Sequence, residues 1–185
     1  MTARTTAETR LPGDPTPRQY VRRAIRVDHA GEYGAKRIYE GQLAVLGRTK
    51  YGPMIEHMKA QEQVHLDTFS RLIGERRVRP TALLPVWHVA GFALGAATAL
   101  LGHRGAMACT VAVEEAIDEH YRAQEEELGE DEAELKAHIE KFRAEELEHR
   151  DIGLENEAEQ APAYRLLSAA IKAGCKVAIR LSERI

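Results

Sequence analysis

The chain is short of the residues that would make it a disulfide scaffold or a thiolate metal protein. Only two cysteines occur among 185 residues, Cys109 and Cys175, and they form no CxxC pair. A disulfide-stapled fold and a cysteine-ligated cluster are therefore excluded, and both thiols read as small buried apolar side chains. Charge of one sign is also lacking: 26 Lys and Arg stand against 29 Asp and Glu. Without a basic field to draw in a polyanion, nucleic acid is not an expected partner. No run alternates apolar and polar residues with period two, so strands are not expected. No glycine fingerprint follows a strand, so a Rossmann-type nicotinamide site is not expected either. Residues 1–17 contain no apolar segment of a secretory signal. The three prolines and one glycine between Pro12 and Pro17 predict a disordered lead-in over 1–17.

What is present is helical periodicity, broken at Gly47–Pro53, Gly74–Thr81, Gly102, Gly129 and Ala161-Pro162. Glycine suits helix ends and proline suits first turns. The expected helices are 18–47, 53–73, 82–101, 105–128, 130–158 and 162–183, each boundary good to about 2 to 4 residues. The short breaks within 18–73 and within 105–158 make each half a helical hairpin, and two hairpins make an all-α four-helix bundle. Residues 18–185 are long enough for one domain with one core.

Acids and imidazoles stand where apolar residues belong. Ile55, Met58, Glu62, His65, Leu66 and Phe69 share one helical stripe, and Ile139, Phe142, Glu146 and His149 share another. Glu145 and Glu148 fall off the second stripe and read as solvated. In "TVAVEEAIDEHY" Glu114 lines up with Thr110, Ile117 and Tyr121, so it is the inward member of its pair. In "VDHAGEYGAKRIY" Glu32 lines up with Ile25, Ala35 and Tyr39. Glu32 precedes Glu62 by 62 − 32 = 30 residues and Glu114 precedes Glu146 by 146 − 114 = 32, and Tyr39 and Tyr121 each follow the first glutamate by seven. The halves look like a degenerate duplication, and folding each at its break brings all six groups together mid-bundle.

Buried carboxylates without partners are costly, and shared cations explain two equivalent sets. Two glutamates plus two Glu-x-x-His pairs resemble the ligand set of ferritin-like di-iron or di-manganese bundles. Oxygen and imidazole donors without thiolates suit iron or manganese and not an iron–sulfur cluster. Glu62 and Glu146 are expected to bridge the ions, with Glu32 and Glu114 terminal. Tyr39 and Tyr121 are either core residues with satisfied hydroxyls or neighbours of the metals. His29, His88 and His120 are either supports of the site or ordinary polar residues; His57, His103 and His138 have no constellation around them.

Residues Ala82–Gly102 contain no acid, Lys or Arg and match the length needed to cross a bilayer of about 30 Å. A single crossing would put the two halves of the site on opposite sides of the membrane. The segment is therefore expected to re-enter, to lie in the interface or to pack on the protein, with Pro85, Gly91 and Gly95 allowing a bent path and Trp87 and His88 at interfacial depth. The last helix sets Arg165, Lys172, Lys176 and Arg180 against an apolar body, which suits an anionic lipid surface, a partner groove or packing on the bundle.

The stretches "RVDHAGEYGAKRIYEGQ", "QEQVHL", "AVEEAIDEHY", "EELEHRDIGLE", "APAY" and "AGCKVAIRLSERI" resemble the demethoxyubiquinone hydroxylase family of ubiquinone biosynthesis from Val21 to Ile185. The resemblance implies a di-iron site at Glu32, Glu62, His65, Glu114, Glu146 and His149. It also implies a monooxygenase that uses O2 and two reduced iron ions to hydroxylate a demethoxyubiquinol ring bearing a polyprenyl tail. NADH is the implied reductant, acting through the quinone, and a lipid-binding protein of the same pathway is the implied partner. Homo-oligomerisation stays open. The implied location is the membrane surface, engaged by 82–102 and 162–183. The absence of an Arg- and Ser-rich transit peptide points to the cytoplasmic face of a bacterial inner membrane, with the mitochondrial inner membrane as the eukaryotic equivalent. Ferritin-like iron oxidation and storage is the competing reading, and a surface-binding protein with a structural metal is a third.

Overall fold

A computed structural model of the chain describes residues 14–185. Six helices follow in order: α1 (Pro17–Leu46), α2 (Gly52–Glu75), α3 (Leu84–Leu100), α4 (His103–Glu127), α5 (Ala133–Glu155) and α6 (Tyr164–Ser182). The fold is all-α, with no strand among the described residues. Residues 1–13 of the expected lead-in lie outside the described residues.

Local chemistry sets the helix ends. Thr16 caps α1 by accepting the Gln19 amide, and the Gln19 side chain accepts the Thr16 N–H at 2.9 Å. This reciprocal box satisfies two of the free donors of the first turn, and Pro17 at the first helical position loses nothing by lacking an N–H. Two expected spans are shorter than read from the sequence. The 130–158 helix is a 3-10 turn (Glu130–Glu132), then α5, then a second 3-10 turn (Ala158–Gln160). Glu157 takes a left-handed conformation (φ 65°) between them, which an α-helix does not tolerate. Ala163 is left-handed as well (φ 53°), so α6 begins at Tyr164 and Pro162 stays outside it.

α1 packs on α2 and α4 packs on α5 as two hairpins, and contacts of α1 with α4 and α2 with α5 close the ring. Two apolar clusters fill it. One contains Ile25, Phe69, Leu72, Tyr121, Ile139 and Phe142; the other contains Tyr39, Ile55, Met58, Met107 and Val111. Along α1, α2 and α4 the site residues fall between a residue of the first cluster and one of the second, and on α5 they fall between Phe142 and the partly buried Ile152, which packs against the second. The polar layer is thus sandwiched mid-bundle between two dry ends.

α3 and α6 cover the outer side of the α1–α4 pair. Of the alternatives for 82–102, packing on the protein is the one seen: α3 is a continuous helix, and its glycines serve close approach to α1. A Cβ on Gly91 would stand 2.8 Å from the Gly34 carbonyl oxygen, and a Cβ on Gly95 would overlap the Ile38 carbonyl. Opposite them, a Cβ on Gly41 would stand 2.7 Å from the Ala96 nitrogen. Small residues on both partners let the backbones touch. No described helix is long and apolar enough to cross a membrane.

For two of the four basic residues of α6, packing on the bundle is the alternative the structure shows. Lys172 pairs with Glu115, and Lys176 Nζ lies 2.9 Å from Glu119 Oε2, so both lysines tie α6 to α4. Beside the exposed Arg165 and Arg180, α6 turns an apolar row outward: Leu166 (73% exposed), Ala170, Ala173, Gly174 and Val177 recur at helical spacing. α3 does the same with Val86, Val89 (66% exposed), Ala93, Ala97 and Leu100 (75% exposed).

Candidate metal centre

All six acids and imidazoles singled out by the sequence are buried and meet in one layer. They form two groups that share two members. Glu32, Glu62, His65 and Glu146 offer ligand atoms within 4.8 Å of one another, and so do Glu62, Glu114, Glu146 and His149. The sharing follows from helix geometry: Glu62 and Glu146 lie one turn before His65 and His149 on α2 and α5, which face each other. The single glutamates, Glu32 on α1 and Glu114 on α4, close the groups from the other two helices.

The distances show how each imidazole is held. His65 Nδ1 is 3.1 Å from Glu146 Oε1 and 3.4 Å from Glu32 Oε2. His149 Nδ1 is 3.2 Å from Glu146 Oε2, 3.3 Å from Glu62 Oε1 and 3.9 Å from Glu114 Oε1. Each Nδ1 therefore faces the shared space, and each Nε2 faces away from it. His65 Nε2 meets Glu145 Oε2 at 2.7 Å, and His149 Nε2 meets Gln61 Oε1 at 2.9 Å. His65 also stacks on Phe142, centroid to centroid 4.1 Å, which fixes its ring plane.

The two tyrosines cross the bundle reciprocally. Tyr39 on α1 donates to Glu114 Oε1 on α4 at 2.7 Å, and Tyr121 on α4 donates to Glu32 on α1. Burial, and then the nearby carboxylate, pushes both phenols well above their ordinary range, so they stay protonated donors.

Charge in this layer is unevenly shared. Burial alone would raise the Glu146 carboxyl, but hydrogen bonds from His149 and His65 hold it at about 2. Burial alone would lower the His65 imidazolium, but its bonds to Glu146 and Glu32 push it up to about 12. Glu62 and Glu114 have no comparable partner. Burial, then repulsion from Glu146, raises both well above the usual carboxylate range. Both Glu62 oxygens and Glu114 Oε2 are buried with no hydrogen-bond partner. Orphaned acceptors converging on one space are what a pair of cations would satisfy.

Several participants were not visible in the sequence. Glu145, read as solvated, is corrected: it is only 25% exposed and accepts from His65. Gln61 plays the same part for His149. The signal available was their equivalent position, each directly preceding the glutamate of a Glu-x-x-His pair. Asp28 is a buried acid one turn before Glu32, where Gln124 Nε2 reaches its Oδ1 at 2.7 Å and His120 Nε2 at 3.2 Å. His120 thus acts on Asp28 and touches none of the six. His88 bonds the Tyr33 hydroxyl at 2.6 Å on the surface, and His103 pairs with Glu157.

A seam too tight to admit a water molecule lies against the centre, lined by Ala35, Ile38, Tyr39, Thr110, Val113 and Glu114. Ile38 and Val113 belong to an apolar cluster that Leu94 of α3 and Leu167 of α6 cover. A larger depression of about 510 Å³ opens elsewhere, between the start of α1 and the α4–α5 turn, and none of the six residues lines it.

Comparison with known proteins identifies the family of the chain. Residues 19–182 match the family described as "Ubiquinone biosynthesis protein COQ7". The chain is 63% identical over 183 residues to the 3-demethoxyubiquinol 3-hydroxylase of Rhodospirillum rubrum, covering 98% of this chain and 86% of that protein. It is 62% identical over 176 residues to the bovine mitochondrial NADPH-dependent 3-demethoxyubiquinone 3-hydroxylase, covering 93% and 81%. The human counterpart of the same name is 60% identical over 176 residues, covering 93% and 81%. With a match that spans the bundle and both hairpins, the chain belongs to the COQ7 family of ubiquinone biosynthesis proteins.

Proposed function

We propose that this protein is a di-iron monooxygenase that hydroxylates the ring of a polyprenyl-tailed demethoxyubiquinol, in keeping with the 3-demethoxyubiquinol named for its Rhodospirillum rubrum relative. The support within the chain is the pair of buried groups that share Glu62 and Glu146. Four carboxylates balance two divalent ions, and oxygen with imidazole donors suits iron. When bound, the iron pair would supply the redox chemistry that puts one oxygen atom of O2 on the ring, the other leaving as water with two electrons and two protons.

The chain's own residues do the rest. Glu32 and His65 would hold one ion, Glu114 and His149 the other, with Glu62 and Glu146 between them. Tyr121 and Tyr39 hold Glu32 and Glu114 in orientation from the opposite helix. The apolar clusters on either side exclude water from the layer.

The quinol head would approach from the side that α3 and α6 cover, by opening the closed seam beside Glu114. The outward apolar stripes of those helices support peripheral attachment to the membrane that holds the substrate, since patches of this kind mark interaction surfaces. A reduced nicotinamide dinucleotide is the proposed electron source, in keeping with the NADPH named for the mitochondrial relatives. Iron storage is the weaker reading, because the relatives are named as hydroxylases and storage gives these stripes no role.

The test is purification in detergent, iron analysis and an assay of product formation beside Glu62→Ala and Glu146→Ala. Two irons per chain and a hydroxylated quinol, both lost in the variants, are expected. Iron binding without any hydroxylated product, or product formed by iron-free protein, would overturn the reading.

A further inference from the structure

The two halves of the centre match in the spacing of their ligands, yet they differ in what holds the outer side of each imidazole. Gln61-Glu62-x-x-His65 lies on α2 and Glu145-Glu146-x-x-His149 on α5. The residue before each shared glutamate reaches across to the imidazole of the other helix. Glu145 meets His65 Nε2 at 2.7 Å, and Gln61 meets His149 Nε2 at 2.9 Å. One imidazole therefore gives its outer N–H to a carboxylate and the other to a neutral amide.

That difference has a direct chemical consequence. A carboxylate that accepts the outer N–H of a ligating imidazole fixes the ring and makes the inner nitrogen a better donor; an amide oxygen orients the ring but polarises it less. The tyrosines are matched between the halves, one on each single glutamate; Phe142 stacks on the His65 ring alone and Asp28 stands one turn before Glu32 alone, but neither accepts an imidazole N–H of the site. Lys141 Nζ lies 3.7 Å from Glu145 Oε1, but it is 60% exposed and screened by solvent, so it does not cancel the carboxylate.

We propose that Glu145 is a positioning residue that makes the two ion positions unequal, so that the ion on the Glu32–His65 side binds first and more tightly than the one on the Glu114–His149 side. The inference rests on the reading that these six residues hold two ions. It adds an order of loading, set by residues outside the six.

The experiment titrates Co(II) into metal-free full-length protein and follows its visible absorption, with unfolding in chelator as a check that each variant is folded. The wild-type chain should bind two ions in separable steps. Glu145→Gln should weaken the first step by about 10- to 100-fold, the usual cost of losing such a support, and bring the steps together. Gln61→Glu should bring them together from the other side by tightening the second. The double exchange Glu145→Gln with Gln61→Glu should restore two separable steps in reversed order. His65→Ala should then remove the tight step in wild-type protein and the weak one in the double exchange. A role confined to stability predicts no such restoration. A Glu145→Gln titration that superimposes on wild type, or a double exchange that stays merged, overturns the inference alone. A wild-type chain that binds fewer than two Co(II) ions overturns it together with the proposed function.

Discussion

The Tyr39 hydroxyl donates to Glu114 across the α1–α4 face at 2.7 Å, joining the first helix of one hairpin to the first helix of the other. Because burial raises the Glu114 carboxyl and this bond lowers it, Tyr39 helps keep Glu114 available to a cation. Tyr39→Phe should therefore weaken metal binding at neutral pH by about tenfold or more, the range expected when a support behind a ligand is lost. The measurement is iron retained after dialysis against a weak chelator. Full retention would mean that the tyrosine is only a core residue.

Metal-free protein should become less stable as pH rises from 5 to 8. The folded Glu62 carboxyl lies well above its ordinary 4.5, so the folded state holds a proton there that the unfolded chain has released, and stability falls as pH climbs past 4.5. His65 acts in the same direction. Its contribution is complete below 6.5 and is lost as pH rises toward about 12. Glu146, held at about 2, loses its contribution only below 4.5, outside this window. Melting curves in chelator at pH 5, 6.5 and 8 should show the decline, Glu62→Gln should flatten it, and bound metal should reverse it, since metal binding displaces protons. A flat or rising profile for the metal-free wild type would contradict the electrostatics described.

Gly95→Val should separate α3 from α1. The new side chain would overlap the Ile38 carbonyl, and overpacking a close contact of this kind costs about 1–3 kcal/mol. Calorimetry should register the loss as a lower melting temperature. Gly174→Val, on the outward side of α6 with open space around it, is the control and should change little.

Replacing Val89 and Leu166 by glutamate should release the protein from lipid vesicles without unfolding it. Both are more than half exposed, so the fold does not depend on them. Burying each in lipid is worth about 1.5–3 kcal/mol, roughly ten- to a hundredfold in partitioning. Cosedimentation with anionic vesicles reads the effect, and circular dichroism with metal content controls for folding. Unchanged cosedimentation would remove α3 and α6 as the attachment surface.

Much of the centre was legible in the chain because helical register is a local property. Glu62 with His65, and Glu146 with His149, share a face whatever the helix packs against. An acid on an apolar stripe is visible without knowing the fold, and the matched spacings to Glu32 and Glu114 tied the halves together. Contacts between hairpins were not legible in this way. Glu145 lies off its stripe by sequence, yet α5 is rotated so that it faces His65, a relation set by the α2–α5 packing. Asp28 and Gln124 meet only because α1 and α4 lie side by side. The long apolar stretch shows the same division. Its composition was plain, but Gly91 and Gly95 acquire their role only from the α1 backbone against them. The lysines of α6 likewise read as free charges until Glu115 and Glu119 stand opposite. Which side chains share a face along each helix follows from the chain alone, because a period of 3.6 residues sets it. The tertiary structure decided which of them touch, because the rotation and spacing of neighbouring helices depend on every side chain at their interface.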